Sequence, residues 1–253
     1  MFDVIRIPAF KDNYIWLLRS GTSAVVVDPG DAHPVMARLA QDGLTLAAIF
    51  ITHHHADHQG GVARLVANYS PQVFGPAAES ITGLTRFLHG GETIRIDALE
   101  TSFAVLPVPG HTLGHLAYYV AGSLFCGDTL FGAGCGRLFE GSPEQMSASL
   151  SLLAALPDET AVYCAHEYTE ANLRFALAVE PGNALLQQRV ADVAVARAGN
   201  LPTVPSTLAL EKASNPFLRC AETEVIAAAR RRGAAKADPV SVFAALRAWR
   251  NEF

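Results

Sequence analysis

Thr52-His53-His54-His55-Ala56-Asp57-His58 closes the apolar run AAIFIT (47–52) and leads into the glycine pair Gly60-Gly61. A short continuous apolar run rich in β-branched residues predicts a buried strand, and VARLVANY after the glycines predicts a helix. The histidine-rich segment therefore sits at a strand end, where α/β architectures place their sites. Four potential ligands, His53, His55, Asp57 and His58, fall within six residues. They cannot all reach one ion without strain, but they can serve two. Burying three histidines and an aspartate without a metal or other partners costs several kcal/mol, which sets an incidental run aside.

Outward from this segment the chain repeats one grammar. Short strands are predicted at 3–7, 13–19 and 23–27, and DAHPVMARLAQDG has helical spacing closed by Gly43. Further strands are predicted near 72–75, 92–97, 102–108, 115–120 and 123–127, then a helix near 143–155 and the buried strand AVYCA (161–165). Beyond about 168 the strand signals stop, and LRFALAVE, ALLQQRVADVAVARA, EVIAAARRR and SVFAALRAWR all read as helical. A domain boundary is placed near 167.

Three more candidate ligands stand at similar strand ends. His111 follows Pro109-Gly110, Asp128 follows LFCG, and His166 ends AVYCA. With the first cluster they make seven nitrogen and oxygen donors, or two four-ligand shells if one carboxylate is shared. Histidine and carboxylate without thiolate suit Zn, Fe or Mn. Two adjacent ions on shared oxygen ligands make a hydrolytic arrangement, whereas a closed structural zinc site is commonly built on cysteines.

Composition sets the frame. The 253 residues are half apolar and 17% charged, with a formal charge of −5, which gives ample core and weighs against nucleic acid as a partner. MFDVIRIPAF has neither the basic nor the apolar region of a signal peptide, and no apolar run approaches a membrane span. A soluble, cytoplasmic monomer with no membrane partner is the expectation. Cys126, Cys135, Cys164 and Cys220 have no C-x-x-C spacing and read as reduced, mostly buried thiols. Asp28, after a buried strand, reads as a turn residue that holds its loop.

The pattern H-x-H-x-D-H at 53–58 with P-G-H-T at 109–112 and G-D-T at 127–129 resembles the metallo-β-lactamase superfamily. KDNYIWLL, VDPGD, GDTLFGAGCGRLFEG, CAHEYT and NPFLR narrow the resemblance to the glyoxalase II (hydroxyacylglutathione hydrolase) family, over essentially the whole chain. The resemblance implies an α/β fold, the αββα metallo-β-lactamase sandwich over 1–167 with a C-terminal helical domain over 168–253. It implies that His53, His55 and His111 hold one metal, that Asp57, His58 and His166 hold a second, and that Asp128 bridges them. Asp57 and Asp128 are the implied catalytic carboxylates.

Two divalent ions are expected, zinc first, with iron or manganese able to take the same donors. For the glutathione moiety the family positions fall on Arg137, Phe139, Tyr168, Arg247 and Arg250. Phe139 stands where some relatives carry tyrosine, so one phenolic hydrogen bond is absent. The implied activity is hydrolysis of S-(2-hydroxyacyl)glutathione, typically S-D-lactoylglutathione, the second step of methylglyoxal detoxification. The competing readings are another enzyme on this fold, such as a persulfide dioxygenase or a different thioesterase, and a non-catalytic metal-binding module. The module should have lost ligands, and none is lost here.

Overall fold

The computed structural model describes residues 2–253. The chain divides into two compact units, residues 1–107 with 114–127 and residues 108–113 with 128–253.

The first unit opens with β1 (Asp3–Ala9), β2 (Asn13–Ser20), β3 (Ser23–Val27), α1 (Ala32–Asp42), β4 (Thr45–Phe50), α2 (Ala56–Gln59), α3 (Val62–Tyr69), β5 (Gln72–Pro76) and β6 (Arg86–Leu88). These six strands form one sheet in chain order, antiparallel from β1 to β3 and parallel from β3 to β6. Four antiparallel strands follow in the same unit: β7 (Thr93–Ile96), β8 (Thr101–Pro107), β9 (Leu116–Val120) and β10 (Ser123–Gly127).

The continuous apolar character of β4 has a physical cause, because the strand is covered on both faces. Ile49 and Ile51 join Val35 and Leu39 of α1 and Val62 and Leu65 of α3 in one buried cluster. Phe50 points the other way. Its ring stacks on Tyr118 of β9 at 4.7 Å and meets Phe103 of β8 edge-on at 4.9 Å, so it joins the two sheets. The Tyr118 hydroxyl donates to the Ile51 carbonyl at 2.7 Å, and burial raises its pKa well above the ordinary phenol value. The helix α1 starts on the Asp31 side chain, which accepts from the His33 amide, and stops at Gly43 in the left-handed region.

The second unit carries the two-residue strands β11 (Leu130–Phe131) and β12 (Gly134–Cys135), then α4 (Pro143–Ala154), β13 (Ala161–Cys164), α5 (Thr169–Val179) and α6 (Ala184–Ala198). It continues with β14 (Ser206–Thr207), α7 (Leu208–Ser214), α8 (Thr223–Arg231) and α9 (Pro239–Glu252). A capping box between Ser142 and Gln145 starts α4. Rings of Phe175, Phe217, Phe243, Trp249 and Phe253 pack α5 and α9 together.

The elements legible in the sequence recur with small shifts at their ends, and the helical tail is present. Strand pairing does not stop at 168, however, because β14 pairs antiparallel with β13. The strands β6, β11, β12 and β14 are two or three residues long, too short for any hydrophobic period to register.

Phe50→Ala should destabilise the protein by about 3–5 kcal/mol, the usual cost of emptying an aromatic site in a core. Denaturant unfolding should show a lower midpoint at an unchanged slope, while Phe87→Ala, at a side chain 63% exposed, should stay within about 0.5 kcal/mol. An unchanged midpoint for Phe50→Ala would contradict this packing.

Candidate functional site

The donors of the first unit are aimed by a carboxylate one strand away. Asp28, buried at the end of β3, accepts from the Thr52 amide and the Thr52 hydroxyl, each at 2.8 Å, and its Oδ2 stands 2.9 Å from His58 Nδ1. The Asp28 backbone takes the left-handed conformation (φ 51°), which aspartate tolerates better than most residues. With Nδ1–H of His58 pointed at Asp28, its Nε2 is the nitrogen turned toward a ligand position.

Thr52 Oγ1 lies 3.0 Å from His53 Nδ1, which orients His53 in the same way. His53 Nε2 lies 3.0 Å from His55 Nδ1, and the rings of His53 and His58 are 4.0 Å apart. Asn13 Nδ2 donates to Asp57 Oδ2 at 3.0 Å, and that oxygen is 3.5 Å from His58 Nε2. The His54 ring meets that of His55 at 4.9 Å, and its amide donates to Glu79, which also accepts from the Gly114 amide.

Asp128 is the centre of the second unit's donors. Its Oδ2 is 3.5 Å from His111 Nε2 and its Oδ1 is 3.4 Å from His166 Nε2, one oxygen to each imidazole. These separations exceed a normal N–H···O bond of 2.7–3.2 Å. Two ligands at about 2.1 Å in a tetrahedral shell stand about 3.4 Å apart, so the spacing is compatible with donors that share an ion. The Arg137 carbonyl accepts from His111 Nδ1 at 2.8 Å, and the His166 ring stacks on Tyr168 at 4.6 Å. A side chain at Gly136 would place its Cβ 1.9 Å from the Asp128 carbonyl oxygen, so only glycine fits there.

A cavity of about 470 Å³ opens in the second unit, lined by Asp128 and His111 together with Arg137, Phe139, Tyr168, Arg247 and Arg250. All five residues expected from the sequence to meet a substrate line this one cavity. The Phe139 ring is 62% exposed and meets His111 edge-on at 5.2 Å. Arg247 is 6% exposed, and its Nη1 donates to the Cys135 carbonyl at 2.9 Å. Burial, then the positive charges of Arg247 and Arg137, hold the Arg250 guanidinium below its ordinary pKa. Three cations on one wall favour an anionic occupant.

The sequence reading missed other contributors to the cavity wall, among them Phe131, Cys135 and Asn172. Asn172 bridges from Gly132, whose carbonyl it reaches at 3.0 Å, to Arg250 at 3.4 Å. An asparagine inside a helix has no local signature, since its role depends on what lies across from its face.

The four cysteines are buried thiols, as their spacing suggested. Burial pushes Cys164 and Cys220 up to about 12 and raises Cys135, whose thiol Arg247 pulls the other way.

Residues 10–166 match the metallo-beta-lactamase superfamily, and residues 167–253 match the family described as hydroxyacylglutathione hydrolase C-terminus. A hydroxyacylglutathione hydrolase of Dechloromonas aromatica is 60% identical, with all of both chains covered. The crystal structure of ETHE1 from Myxococcus xanthus superposes with a TM-score of 0.67 at 25% identity, covering 99% of this chain and 98% of that one. TTHA1623 in a di-iron-bound form gives 0.54 at 31% identity, covering 65% and 91%. The chain therefore has the metallo-β-lactamase fold with a C-terminal helical region.

Iodoacetamide at pH 8.5 should leave Cys164 and Cys220 unlabelled in the native protein and label both in urea, read by mass spectrometry. An unfolded thiol ionises near about 8.5. The native thiols resist ionisation to about 12, so they subtract stability as pH rises from about 9 toward 12. Native labelling at the rate of an exposed thiol would refute the burial.

Proposed function

The chain belongs to the hydroxyacylglutathione hydrolase family of the metallo-β-lactamase superfamily, and from that premise we propose that it is a metal-dependent thioesterase. It hydrolyses S-(2-hydroxyacyl)glutathione to glutathione and a 2-hydroxy acid. Its typical substrate is S-D-lactoylglutathione, and its place is the second step of methylglyoxal detoxification. The observation that carries this reading is the single cavity in which Asp128 and His111 share a lining with three arginines.

The histidine and aspartate clusters are suited to a dinuclear metal site. We assign His53, His55 and His111 to one ion, Asp57, His58 and His166 to the other, and Asp128 to both. The donor chemistry fits: every donor is an imidazole or a carboxylate, and Asp128 presents one oxygen to each of two imidazoles. Zinc is the metal proposed for both positions, although iron and manganese accept the same donors. Held by these residues, the metal would supply Lewis-acid polarisation of the scissile carbonyl and a water of lowered pKa.

The chain's own residues bind and orient. Arg137 and Arg250 pair with the two carboxylates of the glutathione moiety, a match of planar fork to planar anion. Arg247 adds charge to the same wall while its Nη1 braces the Cys135 carbonyl. Tyr168 and Phe139 line the path of the peptide, and Phe139 does so without a phenolic hydrogen bond. The leaving group is a thiolate, whose conjugate acid has a pKa of about 8.5, so it departs without a dedicated proton donor. The absence of a separate acid–base pair from the assigned residues agrees with that chemistry.

No helix among the described residues is long and apolar enough to cross a membrane. We further propose a cytoplasmic monomer that binds neither nucleic acid nor membrane, in keeping with the net charge of −5. Residues 1–167 would form its catalytic domain and residues 168–253 its substrate-binding domain.

Metal analysis should find two ions per chain in active protein. Asp128→Ala should lower that content and reduce kcat at least about a hundredfold, the scale set by loss of a major electrostatic stabiliser. Normal turnover and two bound ions in this variant would rule out the bridging assignment. Arg250→Ala should raise KM for the glutathione thioester about tenfold and leave kcat nearly unchanged, because its contact is the same in ground and transition states. A short thioester lacking the peptide should not respond, and an unchanged KM for the glutathione thioester would remove Arg250 from the binding set.

A further inference from the structure

The second unit hides an ion pair that the chemistry above does not use. Glu211 of α7 and Arg189 of α6 are both buried, with Arg189 Nη2 2.5 Å from Glu211 Oε1. Four donors converge on this one carboxylate. Oε1 accepts also from the Ser206 hydroxyl at 2.6 Å, and Oε2 accepts from the Ala133 amide at 2.8 Å and from Asn215 Nδ2 at 3.2 Å. Arg189 Nη1 donates to the Ser214 hydroxyl at 2.7 Å. An apolar pair of similar volume commonly stabilises a core at least as well as a buried ion pair, so stability alone is a weak reason for this one. Its geometry supplies a better one.

The network points at the hairpin β11–β12. That hairpin consists of only two residue pairs, Leu130 with Cys135 and Phe131 with Gly134, too few to hold a shape unaided. Its tip residue Ala133 is in the left-handed region (φ 54°), which alanine adopts at a cost. Glu211 holds the Ala133 amide. Asn215, itself bound to Glu211, donates to the carbonyls of Phe131 at 3.3 Å and Gly134 at 2.9 Å. Asp128 precedes this hairpin and Arg137 follows it, while Phe131 and Cys135 line the cavity between them.

We propose that Glu211 is a positioning residue for the substrate cavity, fixing through Ala133 and Asn215 the hairpin that spaces Asp128 from Arg137. The inference rests on the glutathione-thioester reading above. The base of the hairpin is tied by the Gly136 amide, which donates to the Thr129 carbonyl at 3.2 Å, so loosening the tip is felt at Phe131 and Cys135, which line the cavity, more than at the Asp128 carboxylate. Glu211 therefore acts on binding of the peptide moiety more than on bond cleavage.

The test uses two variants of the full-length, metal-loaded protein. Arg189→Met/Glu211→Leu removes both charges together, so no lone charge stays buried. Asn215→Ala leaves the ion pair intact and removes the carbonyl clamps, together with the bond to Glu211 and the cap on the Phe217 amide, so it decides the matter should the double variant fail to fold. S-methylglutathione, a thioether that cannot be hydrolysed, is the probe for calorimetry. Both variants should weaken its binding and raise KM for the glutathione thioester, by about tenfold in the double variant and several-fold in Asn215→Ala, with kcat within about threefold. Turnover of a short thioester without the peptide should hold. Folded variants with lower thermal stability but unchanged Kd and KM would overturn the proposal, as would an equal loss on the short thioester. If the wild-type protein itself fails to bind S-methylglutathione, the substrate reading falls, and that result is separate from any difference between variants.

Discussion

One buried carboxylate governs the histidine loop. Asp28 spends both oxygens on its neighbours, accepting from the Thr52 amide and hydroxyl and standing against His58 Nδ1. Thr52 then contacts His53, so a single anion sets the ring orientation of two candidate ligands through short bonds. A carboxylate at this depth is costly unless every oxygen is met, and here the partners it meets are the residues that need aiming. The strand order makes the arrangement possible. Parallel neighbours β3 and β4 end side by side, and Asp28 donates its own amide to the Phe50 carbonyl across that edge.

The second unit solves the same problem with uncharged groups. A main-chain carbonyl, that of Arg137, orients His111, and the flat face of Tyr168 orients His166. Asp128 is therefore surrounded by groups whose directions are set elsewhere. It contributes two oxygens at similar distances from two imidazoles. The cavity wall then adds cations in a place where burial and mutual repulsion make the charged form of Arg250 harder to keep. An anion entering that space relieves the repulsion, which makes charge complementarity a source of binding.

Much of this was legible in the sequence, and the reason differs from residue to residue. The run AAIFIT announced a strand covered on both faces, and the structure shows Phe50 and Ile49 on opposite sides of it. His53, His55, Asp57 and His58 were visible because clustered donors at a strand end have few innocent explanations. Arg137, Phe139, Tyr168, Arg247 and Arg250 were reached only by resemblance, since a single arginine on a helix carries no signal of its own, and all five line one cavity. Asn172 and Glu211 escaped notice altogether, and Asn215 was seen only as the first residue of NPFLR, with no role attached to it. Each is a polar residue inside or at the end of a helix, and what makes it matter is a carbonyl or amide of the hairpin 130–135, far away in the chain. Short strands such as β11 and β12 were illegible for a related reason, because they are held by other elements rather than by their own pattern.

Gly136 lies so close to the Asp128 carbonyl that no other residue could stand there without moving the main chain. Its identity is dictated by a distance between two stretches of backbone and owes nothing to chemistry at the metal or the substrate. A descendant of this chain that lost its hydrolytic power could shed Asp128 or a histidine freely, yet would still be obliged to keep glycine at 136 for as long as the turn survived. The glycine at 136 in GDTLFGAGCGRLFEG thus records ancestry of shape. Evidence of a working enzyme in such a lineage has to be sought in the ligands themselves, which the fold alone does not protect from drift.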